Sequence, residues 1–389
     1  MKDETILVSS GRHPEDNYGI VNPPVYHAST VVFPTLAAWR KRDPLKTVTY
    51  GRAGTPTTHA LQEAVAAIEG GAHALACSSG LGAITTALLA FVKAGDHILC
   101  TDSAYFPTRN YCQKVLARFG VETTYYDPLI GGGIAELIRP NTKVVYTECP
   151  GSLTFDVQDI PAIAAAAHAR GAIVMNDNTW ATGLYFKSFE KGVDVSVHAG
   201  TKYIVGHSDA MLGMIVTTEA AFPAIWESFR LSGQCAGPDD MYLGLRGFRT
   251  MGARLVQHQQ RALTLAEWLK TQPEVTRVLY PALPDHPGHA IWKRDFSGAS
   301  GLFSIVLDRA YDDTALGALL DGLELFGMGA SWGGYESLVL PAEPSNLRTA
   351  TKWDDPGTVL RFHVGLEHSD DQIADLAAGF ERLRAAVRR

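Results

Sequence analysis

Residues 159–179 read DIPAIAAAAHARGAIVMNDNT, and this stretch decides the fold class. Asp159–Arg170 has the apolar spacing of a helix, and Ala172–Met175 is a short apolar run typical of a buried strand. The same alternation continues on both sides, with further strands predicted at His97–Cys100, Lys143–Thr147 and Val193–Val197. Strands that alternate with helices of this length predict an α/β fold with a mostly parallel sheet covered on both faces.

Composition and periodicity divide the chain into three parts. Residues 1–55 are rich in turn formers and show little periodicity, so we expect an arm rather than a folded unit. Residues 56–245 hold the alternating strands and helices. Residues 246–389 combine a long helical pattern with two strand-like runs, GLFSIVLD and VLRFHVGLE, and a C-terminal helix. The sequence therefore predicts an arm, an α/β domain and a smaller C-terminal α+β domain.

Bulk properties exclude several classes of protein. The 389 residues include 46% hydrophobic and 19% charged residues, as in ordinary globular proteins, and the net charge of −7 argues against a nucleic-acid or anionic-membrane partner. The run from Leu81 to Val92 is too short for a membrane span. The N-terminal stretch lacks the pattern of a secretory signal, and the five cysteines form no CxxC pair. We expect free thiols and a cytoplasmic protein.

Two ionisable side chains follow neighbouring predicted strands. Asp177 comes directly after the run AIVMN, and Lys202 lies in HAGTKYIVGHSDAMLG, residues 198–213, a short loop after Val193–Val197. Ligands of open α/β sheets bind at the carboxyl ends of the strands. Taken alone, Asp177 also fits a turn or cap residue, and Lys202 also fits an exposed strand-end lysine.

Two further segments supply groups at the same edge. In CSSGLGAITTALLAF the first helical amides, near Gly80 and Leu81, would bind a phosphate, although tight packing explains the small residues as well. Tyr105, in TDSAYFPTRN, would stack on a planar ligand or be an ordinary half-buried aromatic. A phosphate cradle, a carboxylate, a flat ring and a lysine are together what pyridoxal phosphate needs. The lysine forms the Schiff base and the carboxylate keeps the pyridine nitrogen protonated.

Two other patterns are discounted. His207, Ser208 and Asp209 are consecutive, but a hydrolytic triad is defined by its three-dimensional roles and not by adjacency. His198 and His207 have no cysteine or carboxylate at the spacing of metal ligands. We therefore predict no metal site.

Nine motifs in order resemble the Cys/Met-metabolism enzymes that use pyridoxal phosphate, and the resemblance runs over nearly the whole chain. These motifs are YGRAGTPT, SSGLGAITTALLAF, AYFPTRNYC, DPLIGGGI, ECPGSLTFDVQD, NDNTWATG, TKYIVGHSDAM, SWGGYESL and LRFHVGLE. The resemblance implies the aspartate aminotransferase fold (fold type I), with residues 56–245 as the cofactor-binding domain. Members of the family are generally tetramers built from dimers with shared active sites.

The resemblance also implies roles for single residues. Lys202 would bind the cofactor covalently, with Asp177 on its pyridine nitrogen and Tyr105 stacked on its ring. Its phosphate would be held by the amides of Gly80 and Leu81, by the hydroxyl of Thr201, and by Tyr50 and Arg52 from the arm of a neighbouring subunit. Arg361 would clamp the substrate α-carboxylate in a planar two-point contact, flanked by Ser331 and Trp332. The implied catalytic residues are Lys202, Tyr105 and Tyr50.

The activity implied by the resemblance is carbon–sulfur β-elimination. Trp332 and Pro107 favour the branch that cleaves L-cystathionine to homocysteine, pyruvate and ammonia in methionine biosynthesis. The alternative is a γ-replacing transferase of the same family. Ala330 stands where relatives often have a tyrosine, so cystine and other cysteine S-conjugates stay open as substrates. A cofactor-binding regulator without catalysis would not need the carboxylate clamp of Arg361.

Overall fold

The computed structural model describes residues 1–388 and has a seven-stranded sheet at its centre. Six strands are parallel and β7 alone is antiparallel, so the mostly parallel sheet predicted from the sequence is confirmed. In sheet order the strands are β1 (His73–Cys77), β7 (Gly213–Thr217), β6 (Val195–His198), β5 (Ile173–Asp177), β4 (Thr142–Glu148), β2 (His97–Thr101) and β3 (Glu122–Tyr126).

Apolar side chains fill both faces of this sheet. One buried cluster includes Leu75, Ile98 and Val144, and a second includes Leu99, Val145 and Val174 from the opposite faces of neighbouring strands. Because both faces are covered, the free polar positions of the sheet lie at the ends of the strands. The register places Glu148 at the end of β4 opposite Asp177 at the end of β5.

The helices of the chain follow the predicted pattern in the α/β part. They are α1 (Asp3–Ser9), α2 (Leu36–Arg40), α3 (Pro56–Glu69), α4 (Gly80–Leu89), α5 (Phe106–Lys114), α6 (Ile160–His168), α7 (Thr182–Tyr185), α8 (Phe222–Leu231), α9 (Pro238–Leu269), α10 (His289–Asp295), α11 (Asp313–Leu320) and α12 (Ser369–Val387). Helix α6 starts one residue after Asp159, whose carboxylate caps it by accepting the N–H of Ala162 at 3.2 Å. Within residues 1–388, no helix is both long and apolar enough to cross a membrane.

A smaller antiparallel sheet forms the C-terminal part. Its order is β10 (Leu338–Ala342), β11 (Val359–His363), β9 (Leu302–Leu307) and β8 (Val275–Leu279). The 32-residue helix α9 runs through residue 245, the domain boundary predicted from the sequence, and its buried side chains lie in the cores of both parts. The two parts therefore share one continuous helix.

The N-terminal arm is divided into two dissimilar pieces. Helix α1 packs on its own chain: Leu7 is buried, Asp3 pairs with Lys187 at 3.0 Å, and Arg249 donates to the carbonyl of Leu7 at 2.9 Å. Farther along, large apolar side chains are exposed, among them Tyr18 (100%) and Val32 (87%). An arm was expected throughout residues 1–55, but only the part after α1 has this character.

Candidate active site

Lys202 lies in the turn that follows β6, and its amine is held by the C-terminal domain. The Nζ donates to Ser331 Oγ at 2.6 Å and lies 5.4 Å from the centre of the Trp332 ring. Burial, and after it the charge of Arg361, lowers the pKa of Lys202 to about 8. The amine is thus a usable base and nucleophile near neutral pH, which an exposed lysine is not.

The SWGG turn packs directly on the backbone of Lys202. Gly333 has a φ of +89°, and a Cβ there would lie 2.9 Å from the Cα of Lys202, closer than side chains tolerate. Arg361, on β11, donates to the carbonyl of Ser331 at 3.2 Å and to that of Gly329 at 3.5 Å. The structure therefore brings together the predicted lysine, arginine and serine, although they are far apart in sequence.

Two carboxylates lie side by side at the ends of β4 and β5. Asp177 accepts the backbone N–H of Thr179 at 3.0 Å and its hydroxyl, and the Tyr146 hydroxyl at 3.4 Å. Glu148 accepts the backbone N–H of Tyr105 at 2.6 Å. Burial raises the pKa of Asp177, and it raises the pKa of Glu148 well above its usual range, with the charge of Asp177 adding to the effect. Two adjacent carboxylates resist joint ionisation, and the three hydrogen bonds to Asp177 favour the charge there.

A buried ion pair lies behind Asp177. His198 Nε2 and Glu69 Oε1 are 2.9 Å apart, with side-chain exposures of 2% and 1%, and Asn178 donates to Glu69 at 3.1 Å. Burial acts to lower the pKa of His198, but Glu69, through its charge and hydrogen bond, and Asp177 raise it overall. In the sequence, His198 is visible only as a possible metal ligand, and this pair is not predictable because its partner lies 129 positions away in the chain.

Tyr105 is the N-cap residue of α5 and comes shortly after β2. Its side chain is 45% exposed. Burial, followed by the charges of Asp177 and Glu148, raises the pKa of its hydroxyl. The positive charge of Arg361 acts in the opposite direction and lowers the pKa of Tyr105, but by less. The phenol therefore stays protonated near neutral pH.

The N-terminus of α4 approaches the lysine turn closely. A Cβ on Gly80 would lie 2.5 Å from the Cβ of Ala199, so only glycine permits this contact. Ser79 caps the helix by accepting the N–H of Gly82 at 3.0 Å, and the amides of Gly80 and Leu81 are first-turn amides without helical partners. Such amides bind phosphate. The hydroxyl of Thr201, nearby, donates to the Leu212 carbonyl at 3.1 Å and accepts its N–H at 2.9 Å.

The two arm residues are not brought to this group within one chain. Tyr50 is 47% exposed, and Arg52 donates to the carbonyl of Arg230, in α8, at 3.1 Å. The Arg52 guanidinium lies 5.9 Å from the centre of the Tyr50 ring. Within residues 1–388, neither side chain hydrogen-bonds to Lys202 or Asp177.

A cavity of 270 Å³ opens beside Arg361, slightly below the volume of about 300 Å³ at which drug-sized ligand pockets begin. Its walls come from α5, from β10 and from the loop after β10. The lining includes Phe106, Leu153, Leu340, Glu343, Asn346 and Leu347. The cavity is mainly apolar, and Arg361 is the one basic residue among those that line it.

These residues define a class of protein, the pyridoxal-phosphate enzymes. Three features fit that cofactor: Lys202 has a lowered pKa, Asp177 is a hydrogen-bonded carboxylate one strand away, and the first-turn amides of α4 lie next to the close contact of Gly80 with Ala199. The sequence model of the Cys/Met metabolism PLP-dependent enzymes matches residues 4–381, and the chain belongs to this family.

Individual relatives agree over nearly the full length. A protein of Rhizobium johnstonii is 50% identical over 379 residues, which cover 97% of this chain and 95% of that protein. The cystathionine beta-lyase of Salmonella typhimurium is 47% identical, with 98% of each chain covered. Among solved structures, cystathionine gamma synthase from Xanthomonas oryzae pv. oryzae, in complex with aminoacrylate and cysteine, has a TM-score of 0.90 at 31% identity and 99% coverage of each chain.

Proposed function

We propose that this chain is a pyridoxal-phosphate-dependent carbon–sulfur β-lyase that converts L-cystathionine and water to L-homocysteine, pyruvate and ammonia. The observation that carries this proposal is the contact of Lys202 Nζ with Ser331 Oγ at 2.6 Å beside Arg361. It puts a base of lowered pKa next to the groups that would hold an α-carboxylate. The high identity to a cystathionine beta-lyase supports the same reaction.

In this proposal, the charge of each side chain determines its role in the reaction. Arg361 and Ser331 hold the α-carboxylate and so orient the Cα–H bond toward Lys202. The neutral amine of Lys202 takes the Cα proton, and the bound pyridoxal phosphate serves as the electron sink. Asp177, ionised and hydrogen-bonded, keeps the pyridine nitrogen protonated. Tyr105, protonated near neutral pH, stacks on the ring.

The arm completes the phosphate site of a neighbouring subunit in this proposal. Tyr50 and Arg52 are exposed and lie apart from Lys202 in their own chain, as expected of residues that act in another copy. Thr201 and the amides of Gly80 and Leu81 supply the remaining phosphate contacts. The arm requires at least a dimer in this proposal, and from the family resemblance we infer a homotetramer built as a dimer of dimers, in the cytoplasm.

A γ-replacing transferase is the second candidate, favoured by the likeness to a cystathionine gamma synthase. Trp332 and Pro107 argue for β-elimination instead, and the relatives of that type have the higher identity.

One assay separates these reactions. The purified chain, loaded with cofactor, is given cystathionine alone, and pyruvate and free thiol are both measured. A β-lyase releases them in equal amounts, whereas a transferase needs an activated homoserine with cysteine and forms cystathionine. No pyruvate release from cystathionine, together with net synthesis of cystathionine in a parallel assay with an activated homoserine and cysteine, would overturn the proposed function.

A further inference from the structure

The loop 343–351, which follows β10, forms one wall of the cavity beside Arg361. Glu343, Asn346 and Leu347 face the cavity from this loop, and Phe106 and Leu153 face it from the α/β part. Such a loop has no regular hydrogen bonding of its own beyond a short turn at Pro344–Asn346. Its position therefore depends on what anchors it.

Asp102, just after β2, is that anchor. Its side chain is fully buried and accepts three successive backbone N–H groups of the loop, from Thr349 at 2.9 Å, Ala350 at 3.0 Å and Thr351 at 2.8 Å. The hydroxyls of both threonines donate to the same carboxylate at 3.0 and 2.9 Å. Burial acts to raise the pKa of Asp102, but the hydrogen bonds from Thr349 and Thr351, with the charge of Arg109, lower it overall. The anchor is thus charged at neutral pH.

A second ion pair fixes the same loop. Arg348 donates to Asp156 and to the hydroxyl of Thr154, and its side chain is 7% exposed. Arg109 in turn donates to Asp102 at 3.0 Å and to Thr349 at 2.9 Å. Charges of the α/β part thus hold this wall of the C-terminal part in place. Buried charged hydrogen bonds of this kind are among the strong ones.

We propose that the loop 343–351 selects the far half of the substrate and that Asp102 is the positioning residue that holds this loop. The inference rests on the proposed β-lyase activity. With the α-carboxylate on Arg361, the part of a thioether beyond sulfur extends into the cavity, where Leu340 and Leu347 pack its methylene groups. Glu343 and Asn346, at the exposed rim, meet its polar end.

The test compares a long and a short substrate in the holoenzyme. L-Cystathionine has a far half, and β-chloro-L-alanine, which loses chloride from Cβ, has none. In Asp102→Asn, which puts an amide against the loop N–H groups, we expect kcat/KM for cystathionine to fall about 10- to 100-fold, mainly through KM. For β-chloroalanine we expect a change of less than about threefold, with cofactor affinity unchanged.

Asp102 also lies three positions before Tyr105, so Asp102→Asn could displace Tyr105 and impair both reactions. An equal fall of kcat/KM for both substrates would therefore overturn the proposal. Unchanged kinetics with both would overturn it as well. Thr351→Val removes two hydrogen bonds of the loop, the one donated to Asp102 and the one accepted from Arg348, but keeps the backbone N–H groups on Asp102. It should act in the same direction more weakly, and it decides the question if Asp102→Asn does not fold.

A matched control is Asp375→Asn. Asp375 likewise accepts successive backbone N–H groups, from Glu324 and Leu325 at 2.9 Å and Phe326 at 3.4 Å, in another loop. We expect its ratio of the two kcat/KM values to equal that of wild type. The proposed function itself would be overturned if wild-type protein released pyruvate from β-chloroalanine but not from cystathionine. That result is distinct from an equal fall of kcat/KM for both substrates in Asp102→Asn, which overturns only the role of the loop.

Discussion

The residues that the two sheets position and the arm residues of this enzyme are held in place by different means. Lys202, Asp177 and Arg361 are half-buried or buried, and each is hydrogen-bonded within its own chain. Tyr50 and Arg52 are exposed, and Arg52 donates to a carbonyl of α8. One chain therefore positions Lys202, Asp177 and Arg361 by itself, whereas Tyr50 and Arg52 would act, in the function proposed above, on the phosphate site of a neighbouring subunit.

The contrast has a physical cause. Strand ends are fixed by a sheet whose two faces are buried, so their side chains have little freedom left to lose on binding. The arm after α1 buries few apolar groups of its own and gains a fixed position only by packing elsewhere. Four experiments examine this difference.

The largest effect is expected for Lys202→Ala. It removes both the anchoring amine and the base, so turnover of cystathionine should fall by about 1000-fold or more. Lys191→Ala, which removes a partly exposed lysine paired with Asp295 at 3.0 Å, is the control and should keep its activity. Near-normal turnover by Lys202→Ala would contradict the assignment of the base.

The second experiment addresses the arm. Arg52→Ala alone should weaken cofactor retention, because one phosphate contact is lost. Mixing Arg52→Ala with Lys202→Ala and exchanging subunits should recover up to about a quarter of wild-type activity, since half of the sites in mixed pairs are wild type at both positions. Subunit exchange is verified with differently tagged chains. Verified exchange without any recovery would mean that both residues act in one chain.

The third experiment measures the strand-end environment directly. In cofactor-free protein, acylation of Lys202 by a neutral amine reagent should rise with pH around a midpoint of about 8, because only the uncharged amine reacts. Arg361→Met removes a nearby positive charge and should move that midpoint upward, whereas Arg277→Met, remote from the site, should not. A midpoint near that of free lysine would show that burial does not control the amine.

The smallest effect concerns Ala330, which is exposed just before Ser331. Ala330→Tyr adds a ring and a hydroxyl near the carboxylate clamp. The ratio of kcat/KM for cystathionine to that for S-ethyl cysteine should rise by about five- to tenfold. The tyrosine hydroxyl can hydrogen-bond to the polar end of cystathionine, and S-ethyl cysteine has no such group. Ala169→Tyr, at the exposed end of α6, is the control. An unchanged ratio in Ala330→Tyr would remove this position from the specificity determinants.

Local patterns were enough to predict much of the fold. The strand predicted at Ala172–Met175 is observed at Ile173–Asp177, and the one predicted at Val193–Val197 is observed at Val195–His198. Strand β7, at Gly213–Thr217, was not predicted, and neither was its antiparallel direction, since strand direction depends on how the chain connects. Helix α1 was missed because its one buried residue, Leu7, gives no periodic signal.

The site was predictable where each residue carries its own signal. Asp177 and Lys202 each follow a strand predicted from the sequence. Glu148 directly follows the predicted strand Lys143–Thr147, so it could have been found by the same reasoning. The contacts between Asp102 and the loop at Thr349 span 247 positions. Pairs of this kind become visible only when the folded chain brings them together.

Gly333 sets a limit on how this enzyme can be redesigned. Its left-handed backbone and its contact with the Lys202 backbone leave no room for any side chain. A mutant library that randomises the whole SWGG turn would lose the clones that vary this position, whatever substrate is sought. Diversity is better placed at Ala330, Glu343 and Asn346, where side chains are exposed and the backbone of the lysine turn is left undisturbed.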